Sequence, residues 1–190
     1  MEPQGPFDRV LAAARAGEGW ALAELFRDLH PRIRRYLHTV EPGAADDLAS
    51  DAWLDVVRSL ERFRGEASDL RALAFSIART RLNELREAER RAAEGPDRGE
   101  TVEVTFEGPQ TPMLGEPDAG LTQLDTEIAL ERVLALPLEQ AELILLRVLG
   151  GLTLSEVART LDRSVRSVRA LQRDALAALA EATSEERTIT

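Results

Sequence analysis

Apolar residues recur along most of the chain three or four positions apart, which is the spacing of one face of an α-helix. The pattern predicts helices near residues 7–16, 20–38, 44–62, 69–91, 123–135, 139–149, 153–161 and 165–181. Because proline lacks a backbone donor, Pro31 predicts a bend or restart within the second helix. The only strand-like run, 101–106, is too short and isolated to found a sheet. The sequence therefore predicts an all-α fold.

The helical pattern is interrupted between two segments. Residues 92–125 are dense in glycine and proline and hold 1 Arg against 8 acidic residues, whereas residues 1–91 hold 15 against 16 and residues 126–190 hold 8 against 10. A segment of this composition is typical of a linker. We therefore predict a helical domain over 1–91, an acidic flexible linker over 92–122 and a second helical domain over 123–190.

The second domain contains the clearest local motif. Thr153 and Glu156 have the Thr-x-x-Glu spacing of a capping box, which predicts a helix start near Leu154. A tight turn follows, and Ser164 is suited to cap the next helix. Two short helices joined in this way are a helix-turn-helix. On a helical wheel, the second helix has an apolar side and an opposite side formed by Arg166, Arg169, Ala170 and Arg173.

Two interpretations of this helical hairpin stay open. Its arginines are either solvated side chains of an amphipathic pair or contacts to DNA. Residues 153–173 hold five Arg against Glu156 and Asp162, a local charge of +3 in a chain whose net charge is -10. This local excess favours a helix that enters the major groove.

The helix predicted at 44–62 has a broad apolar stripe and an opposite, mainly acidic face. Leu54 is an isolated large apolar residue on that outward face, beside Asp47 and Asp51. A single exposed leucine is ordinary. An acidic face with an apolar centre is also suited to a basic partner helix, and the pattern alone does not decide between the two.

The helix predicted at 69–91 carries a basic outer face. Residues 71–91 hold six Arg and three Glu, and the outward positions are Ser76, Arg79, Asn83, Arg86 and Arg90. The loop before it, 63–68, combines an aromatic residue with a guanidinium and suits an unstacked base. The alternative is a helix face whose arginines pair locally with Glu84, Glu87 and Glu89.

Composition limits the function classes. The chain has 190 residues, no cysteine and no lysine, so every basic side chain except the two histidines is a guanidinium, which is suited to bidentate contact with phosphate or a base edge. We expect no disulfide, no thiol nucleophile and no cofactor. His30 and His38 lack a fixed third ligand, so we expect no metal site and no enzymatic activity. No run approaches the length of a membrane helix, and we expect a cytoplasmic protein with no membrane insertion.

The sequence resembles the extracytoplasmic-function, or group IV, sigma factors of bacterial RNA polymerase. Asp46 to Arg58, Phe63-Arg64-Gly65 and Ile77 to Leu82 are similar to the family's first conserved domain. Leu136 to Leu149, Leu152 to Ala158 and Val168 to Arg173 are similar to its second. The resemblance covers about 7–91 and 123–181, in the family's order.

The resemblance implies a sigma region 2-like domain, a sigma region 4-like domain and a role for each surface. It implies docking on the β′ clamp helices of core polymerase by Asp47, Ser50, Asp51, Leu54 and Arg58. It implies recognition and melting of the −10 element by Phe63, Arg64, Ser76, Arg79, Thr80, Asn83 and Arg86. It implies recognition of the −35 element by Thr153, Ser155, Ser164, Arg166, Ser167, Arg169, Ala170 and Arg173. The partners implied are core polymerase, including the β flap, promoter DNA and an anti-sigma factor.

Four positions depart from the family's usual residues: Leu73, Thr80, Asp162 and Asp174. Asp162 stands where glycine is usual, and aspartate tolerates the left-handed conformation better than most residues. The competing function is a stand-alone helix-turn-helix repressor, which the second domain alone would fit. That alternative leaves the acidic face near Leu54 and the basic helix at 71–90 without a role.

Overall fold

A computed structural model describes residues 6–94 and 123–189, with side chains described over 6–93 and 128–182. Eight α-helices occur in these ranges, and no strand occurs in them. The helices are α1 (Pro6–Arg15), α2 (Gly19–Val40), α3 (Ala45–Leu60), α4 (Ala67–Glu94), α5 (Gln123–Leu134), α6 (Leu138–Val148), α7 (Leu154–Thr160) and α8 (Val165–Ile189). The all-α prediction is confirmed, and all eight predicted helices are present.

The chain divides into two compact units, residues 1–107 and 108–190. The predicted linker lies mostly outside the described residues, as does the strand-like run 101–106. The exact domain limits therefore stay a prediction. None of the helices within 6–94 and 123–189 has the length and apolar content needed to cross a bilayer.

The first unit is built around α2, which packs against α1, α3 and α4. Within residues 6–93, the buried apolar side chains are aliphatic except for Tyr36 and Phe75, whose rings meet edge to face with centroids 5.9 Å apart. Ile33, Val56 and Leu70 are also fully buried in this unit. Val56, from the apolar stripe predicted for α3, therefore lies in the core, since burial of apolar surface is the main driving force for such packing.

Of the two alternatives predicted for Pro31, the restart is wrong, because α2 is one continuous helix of 22 residues, and the bend stays a prediction. Pro31 lies at the exposed surface of α2, while Leu29 and Ile33 beside it are buried. Tertiary burial on both sides of a proline offsets the loss of one backbone hydrogen bond.

The second unit packs α6 against α5, α7 and α8. Leu143, Leu145 and Leu146 of α6 are buried, together with Val157 of α7 and Val168 of α8. The last helix continues to Ile189, beyond the predicted end at 181. This small core holds α7 and α8 in the arrangement that the sequence motif predicts.

Candidate nucleic-acid interface

The turn between α7 and α8 has the capping chemistry that the sequence predicts. The Glu156 amide donates to Thr153 Oγ1 at 3.3 Å, and the Thr153 amide donates to the Glu156 carboxylate, which completes the capping box. The Ser167 amide donates to Ser164 Oγ at 3.1 Å at the start of α8. Asp162 adopts a φ of 52°, as predicted for the residue that replaces glycine in this turn. These contacts define the angle at which α8 leaves the turn.

The outer side of α8 is an arginine surface. Arg166, Arg169 and Arg173 are exposed, and none of them makes a hydrogen bond or ion pair within the part of the chain that the structure describes. They surround a surface depression of about 570 Å³, which is also lined by Val165 and Ala170. Guanidinium groups held at a helix surface without an internal partner are available to phosphates and base edges.

The other residues predicted for this surface lie nearby. Thr153 and Ser155 are exposed at the start of α7, and Ser167 is half-buried on α8. The hydroxyls of Thr153 and Ser164 already accept backbone hydrogen bonds, so each helps to hold the motif. Arg163 forms an ion pair with Glu139 of α6 and does not belong to the arginine surface.

The loop between α3 and α4 is compact and closely tied to the helices around it. Phe63 is half-buried, and a Cβ added at Gly65 would lie 3.0 Å from its ring and 2.7 Å from Asp69 Oδ2. Asp69 Oδ2 accepts a hydrogen bond from the Glu66 amide at 2.9 Å and so caps the start of α4. Arg64 is exposed and donates to the carbonyls of Glu61 and Phe63 at 3.0 and 2.8 Å. The loop thus presents an aromatic ring and a guanidinium from a defined backbone.

The predicted basic stripe of α4 is only partly exposed. Thr80 and Asn83 are exposed, whereas Ser76 and Arg79 are half-buried. Ser76 and Thr80 each donate a hydroxyl hydrogen bond to the carbonyl four residues earlier. Such bonds leave both hydroxyl oxygens able to accept.

Two arginines of the stripe are engaged within the protein. Arg86 Nη2 donates to the Val40 carbonyl at 2.8 Å, and Arg86 Nε lies 3.4 Å from Glu41 Oε2. The Arg86 side chain is only 24% exposed. Arg90 pairs with Glu87. Hydrogen bonds from Arg90 and Arg91 lower the pKa of Glu87 to about 2. The local pairing that the sequence left open therefore does occur at this end of α4.

The five residues predicted for docking are all exposed on α3. Leu54 is 51% exposed, and Asp47, Ser50 and Asp51 are exposed around it. Arg58 is exposed as well and pairs with Asp55 at 2.8 Å. Trp53 of α3 is half-buried and meets Phe26 of α2 edge to face, with ring centroids 5.2 Å apart.

An ion-pair cluster lies at the start of α3. Arg34 Nε is 2.5 Å from Asp46 Oδ1, and His38 Nε2 is 3.2 Å from the same oxygen. The hydrogen bond from Arg34 lowers the pKa of Asp46. His30 stacks on Phe26, and burial together with the nearby Arg34 lowers the pKa of this histidine. No group of three or more potential metal ligands was found among the described residues.

Sequence patterns did not reveal two contacts between helices. Arg81 of α4 forms hydrogen bonds through Nε and Nη2 with Asp55 Oδ2 of α3, and the first of these is 2.8 Å long. Arg15 of α1 donates to the carbonyls of Leu60 and Phe63. Helical periodicity indicates which residues face outward but not which distant atom an arginine reaches, so no sequence signal identified these partners.

Comparison with known proteins gives two family matches. Residues 25–91 match Sigma-70 region 2, and residues 126–179 match Sigma-70, region 4. The ECF RNA polymerase sigma factor SigD of Mycobacterium tuberculosis is 31% identical over 188 residues, covering 93% of this chain and 84% of that protein. ShbA of Streptomyces griseus, also an ECF RNA polymerase sigma factor, is 31% identical over 172 residues, covering 86% of this chain and 87% of that protein.

A solved structure also shares the fold. The structure of CnrH in complex with the cytosolic domain of CnrY aligns with a TM-score of 0.61 over 93% of this chain and 96% of that chain. The two sequences are 19% identical, so this likeness concerns the fold alone.

Proposed function

The chain belongs to the extracytoplasmic-function sigma factors, which direct RNA polymerase to promoters, and on this premise we propose which of its surfaces perform each step. The proposed domains are a region 2-like domain over 1–91 and a region 4-like domain over 123–190, joined by an acidic linker over 92–122. A repressor acting alone is not favoured, because the match to region 2 covers 25–91.

The −35 element is read by α8 in this proposal. Arg166, Arg169 and Arg173 supply base-edge and phosphate contacts, and Ala170 leaves room for close approach to the groove. Thr153, Ser155, Ser164 and Ser167 contribute hydroxyl or backbone contacts to phosphates at the start of the two helices. The observation that carries the assignment is that all three arginines are exposed and have no partner within the described residues.

The −10 element is opened by the loop after α3 and the outer side of α4. Phe63 and Arg64 flank the space for an unstacked base, and Ser76, Arg79, Thr80 and Asn83 contact the single strand. Arg86 already binds the Val40 carbonyl, and its DNA contact stays a prediction. Contacts made only to the opened strand offset the cost of unpairing.

Core polymerase docks on the exposed face of α3. Leu54 provides an apolar anchor, and Asp47, Ser50, Asp51 and Arg58 surround it with polar groups that favour a basic partner helix. The partner proposed for this face is the β′ clamp helices, and the second unit would contact the β flap. An anti-sigma factor is proposed as a further partner, supported by the complex of CnrH with the cytosolic domain of CnrY. We further infer that the chain has no catalytic activity and acts in the cytoplasm.

Run-off transcription tests the proposed function. Purified core polymerase with this chain is expected to initiate at selected promoters carrying both elements, and core alone is not. Replacing either element in the template should abolish the transcript. A chain that binds these promoters as duplex without polymerase, and gives no transcript with it, would contradict the proposal.

A further inference from the structure

We propose that Arg15, on the first helix, is a positioning residue for the base-capturing loop between α3 and α4. Arg15 Nε donates to the Leu60 carbonyl at 3.2 Å, and Arg15 Nη2 donates to the Phe63 carbonyl. The residues it joins are 45 and 48 positions away in the chain. The inference rests on the proposed capture of a −10 base by this loop.

The backbone that carries Arg15 is itself fixed. The Glu18 amide donates to the Ala13 carbonyl, the Gly17 amide donates to the Ala14 carbonyl, and both bonds are 3.0 Å long. Gly17 has a φ of 79°, which completes a Schellman motif at the end of α1. Arg15 stands in the last turn of this helix, and Leu11 and Ala14 beside it are buried. Its guanidinium therefore extends from a backbone with little freedom.

The two carbonyls that Arg15 binds lie where α3 ends and the loop begins. The last carbonyls of a helix have no partner within the helix, and a cation there also interacts favourably with the helix dipole. Leu60 is the last residue of α3, and Phe63 is the aromatic residue of the loop. One planar guanidinium thus joins the helix end and the loop at two points.

The Phe63 carbonyl is the atom that links Arg15 to the site. It accepts hydrogen bonds from both Arg15 and Arg64. Because the peptide unit is planar, the direction of this carbonyl also sets the direction of the Arg64 amide and the position of the Arg64 Cα. The Phe63 ring lies close to the Gly65 backbone, since a Cβ added at Gly65 would be 3.0 Å from it. Without Arg15, the peptide between the ring and the guanidinium loses one of its two anchors.

The test uses holoenzyme assembled from core polymerase and the full chain. Its probe is a promoter fork with a duplex −35 element and a single-stranded non-template −10 element. An abasic scan with the wild-type chain first identifies the position whose base contributes most to affinity. Arg15→Met removes the guanidinium but keeps an unbranched stem that favours helix. Arg9→Met is the matched control, since Arg9 is exposed on the same helix and has no hydrogen bond or ion pair within the described residues.

Arg15→Met is expected to raise the dissociation constant of the intact fork about threefold to tenfold, because fewer loops are in the competent conformation. On the fork that is abasic at the captured position, the variant and the wild type should bind equally. Arg15→Lys, which retains charge but not the two-pronged geometry, should give an intermediate loss on the intact fork only. Arg9→Met should match the wild type on both probes.

An equal loss on both forks would assign Arg15 a purely structural role and overturn the inference, as would wild-type binding on both. If Arg15→Met fails to fold, it will lose core binding, and Arg15→Lys is then compared with the wild type on the two forks. Arg64→Ala distinguishes failure of the positioning role of Arg15 from failure of the proposed base capture. If Arg64→Ala shows base-dependent loss and Arg15→Met does not, only the positioning role fails. If no position is sensitive to base removal in the wild type, base capture itself fails.

Discussion

Gly65 lies in the loop between α3 and α4 at a point where a side chain has no room. A Cβ there would approach Asp69 Cβ to 2.8 Å and the Phe63 ring to 3.0 Å. The first of these atoms is not the end of a flexible side chain, so the helix start would have to move. Asp69 caps α4 and Phe63 belongs to the proposed base site, so glycine at this position serves both the fold and the site.

Gly65→Ala is therefore expected to lower the free energy of unfolding of the first unit by about 1 kcal/mol, the usual cost of a lost helix cap. Both tryptophans, Trp20 and Trp53, lie in this unit, so urea unfolding followed by tryptophan fluorescence reports on it alone. Gly43→Ala is the control, because nothing lies within 4 Å of a Cβ at Gly43. Equal stability of the two variants would contradict this account of the loop.

In the second unit, Arg169 is exposed on the proposed recognition side of α8, whereas Arg163 nearby is paired with Glu139. Arg169→Ala should cost about 1–3 kcal/mol of promoter binding and relax the preference at one −35 base pair. Arg163→Ala should leave that preference unchanged. Holoenzyme binding to promoters with every single −35 substitution measures both, and an unaltered preference in Arg169→Ala would argue against base contact.

At the scale of elements, α3, the proposed docking helix, and α4, the proposed melting helix, are joined by Asp55 of α3 and Arg81 of α4. The hydrogen bond from Arg81 lowers the pKa of Asp55, with a further contribution from Arg58. The folded chain therefore keeps this carboxylate charged at a lower pH than the unfolded chain does. The stabilisation is present above the ordinary pKa of 3.8 and is lost as the pH falls through the lower folded-state pKa.

Asp55→Asn should lower the free energy of unfolding of the first unit by about 1 kcal/mol at pH 7, a modest value because the pair is partly exposed. The difference from wild type should shrink as the pH falls below 3.8. Tryptophan-detected urea unfolding across this range is the measurement. Asp51→Asn, on the same helix but without an ion pair among the described residues, should show no such trend. If the difference in unfolding free energy between Asp55→Asn and the wild type did not change with pH, the charge of Asp55 would be excluded as its cause.

Local signals at the scale of elements were predictable from the sequence, and distant contacts were not. The capping box at Thr153, the turn at Asp162 and the outward arginines of α8 follow from short spacings whose geometry is set by the helix itself. The contact of Arg86 with Val40 joins residues 46 positions apart. Periodicity placed Arg86 on the outer face, but only tertiary packing brings the end of α2 within its reach.

At the scale of the whole molecule, the first unit carries both the proposed polymerase-binding face and the proposed DNA-binding face. The acidic face around Leu54 lies on α3, whereas the loop at Phe63 and the outer side of α4 follow it in the chain. In the proposed function, this order connects polymerase docking to promoter opening through one small helical unit. The second unit is the proposed reader of duplex DNA in the same initiation event.

Leu54→Arg should weaken binding to core polymerase, because a charge replaces the apolar centre of the docking face. Since Leu54 is 51% exposed, helicity should be retained. Leu176→Arg is the matched control, as Leu176 is also 51% exposed but lies on α8 in the second unit. Co-purification of each variant with core polymerase gives the comparison, and equal recovery of the two would remove the docking assignment.

Promoter melting most directly tests the central claim that the first unit both recognises and opens the −10 element. Permanganate footprinting of −10 thymines measures melting with holoenzyme carrying Arg79→Ala together with Asn83→Ala. On duplex promoter, the double variant should keep core binding and closed-complex formation but give a smaller melted fraction. On a template already mismatched across −10, transcription should partly recover, because the unpairing cost is gone. An equal defect on both templates, or no defect on either, would contradict the account.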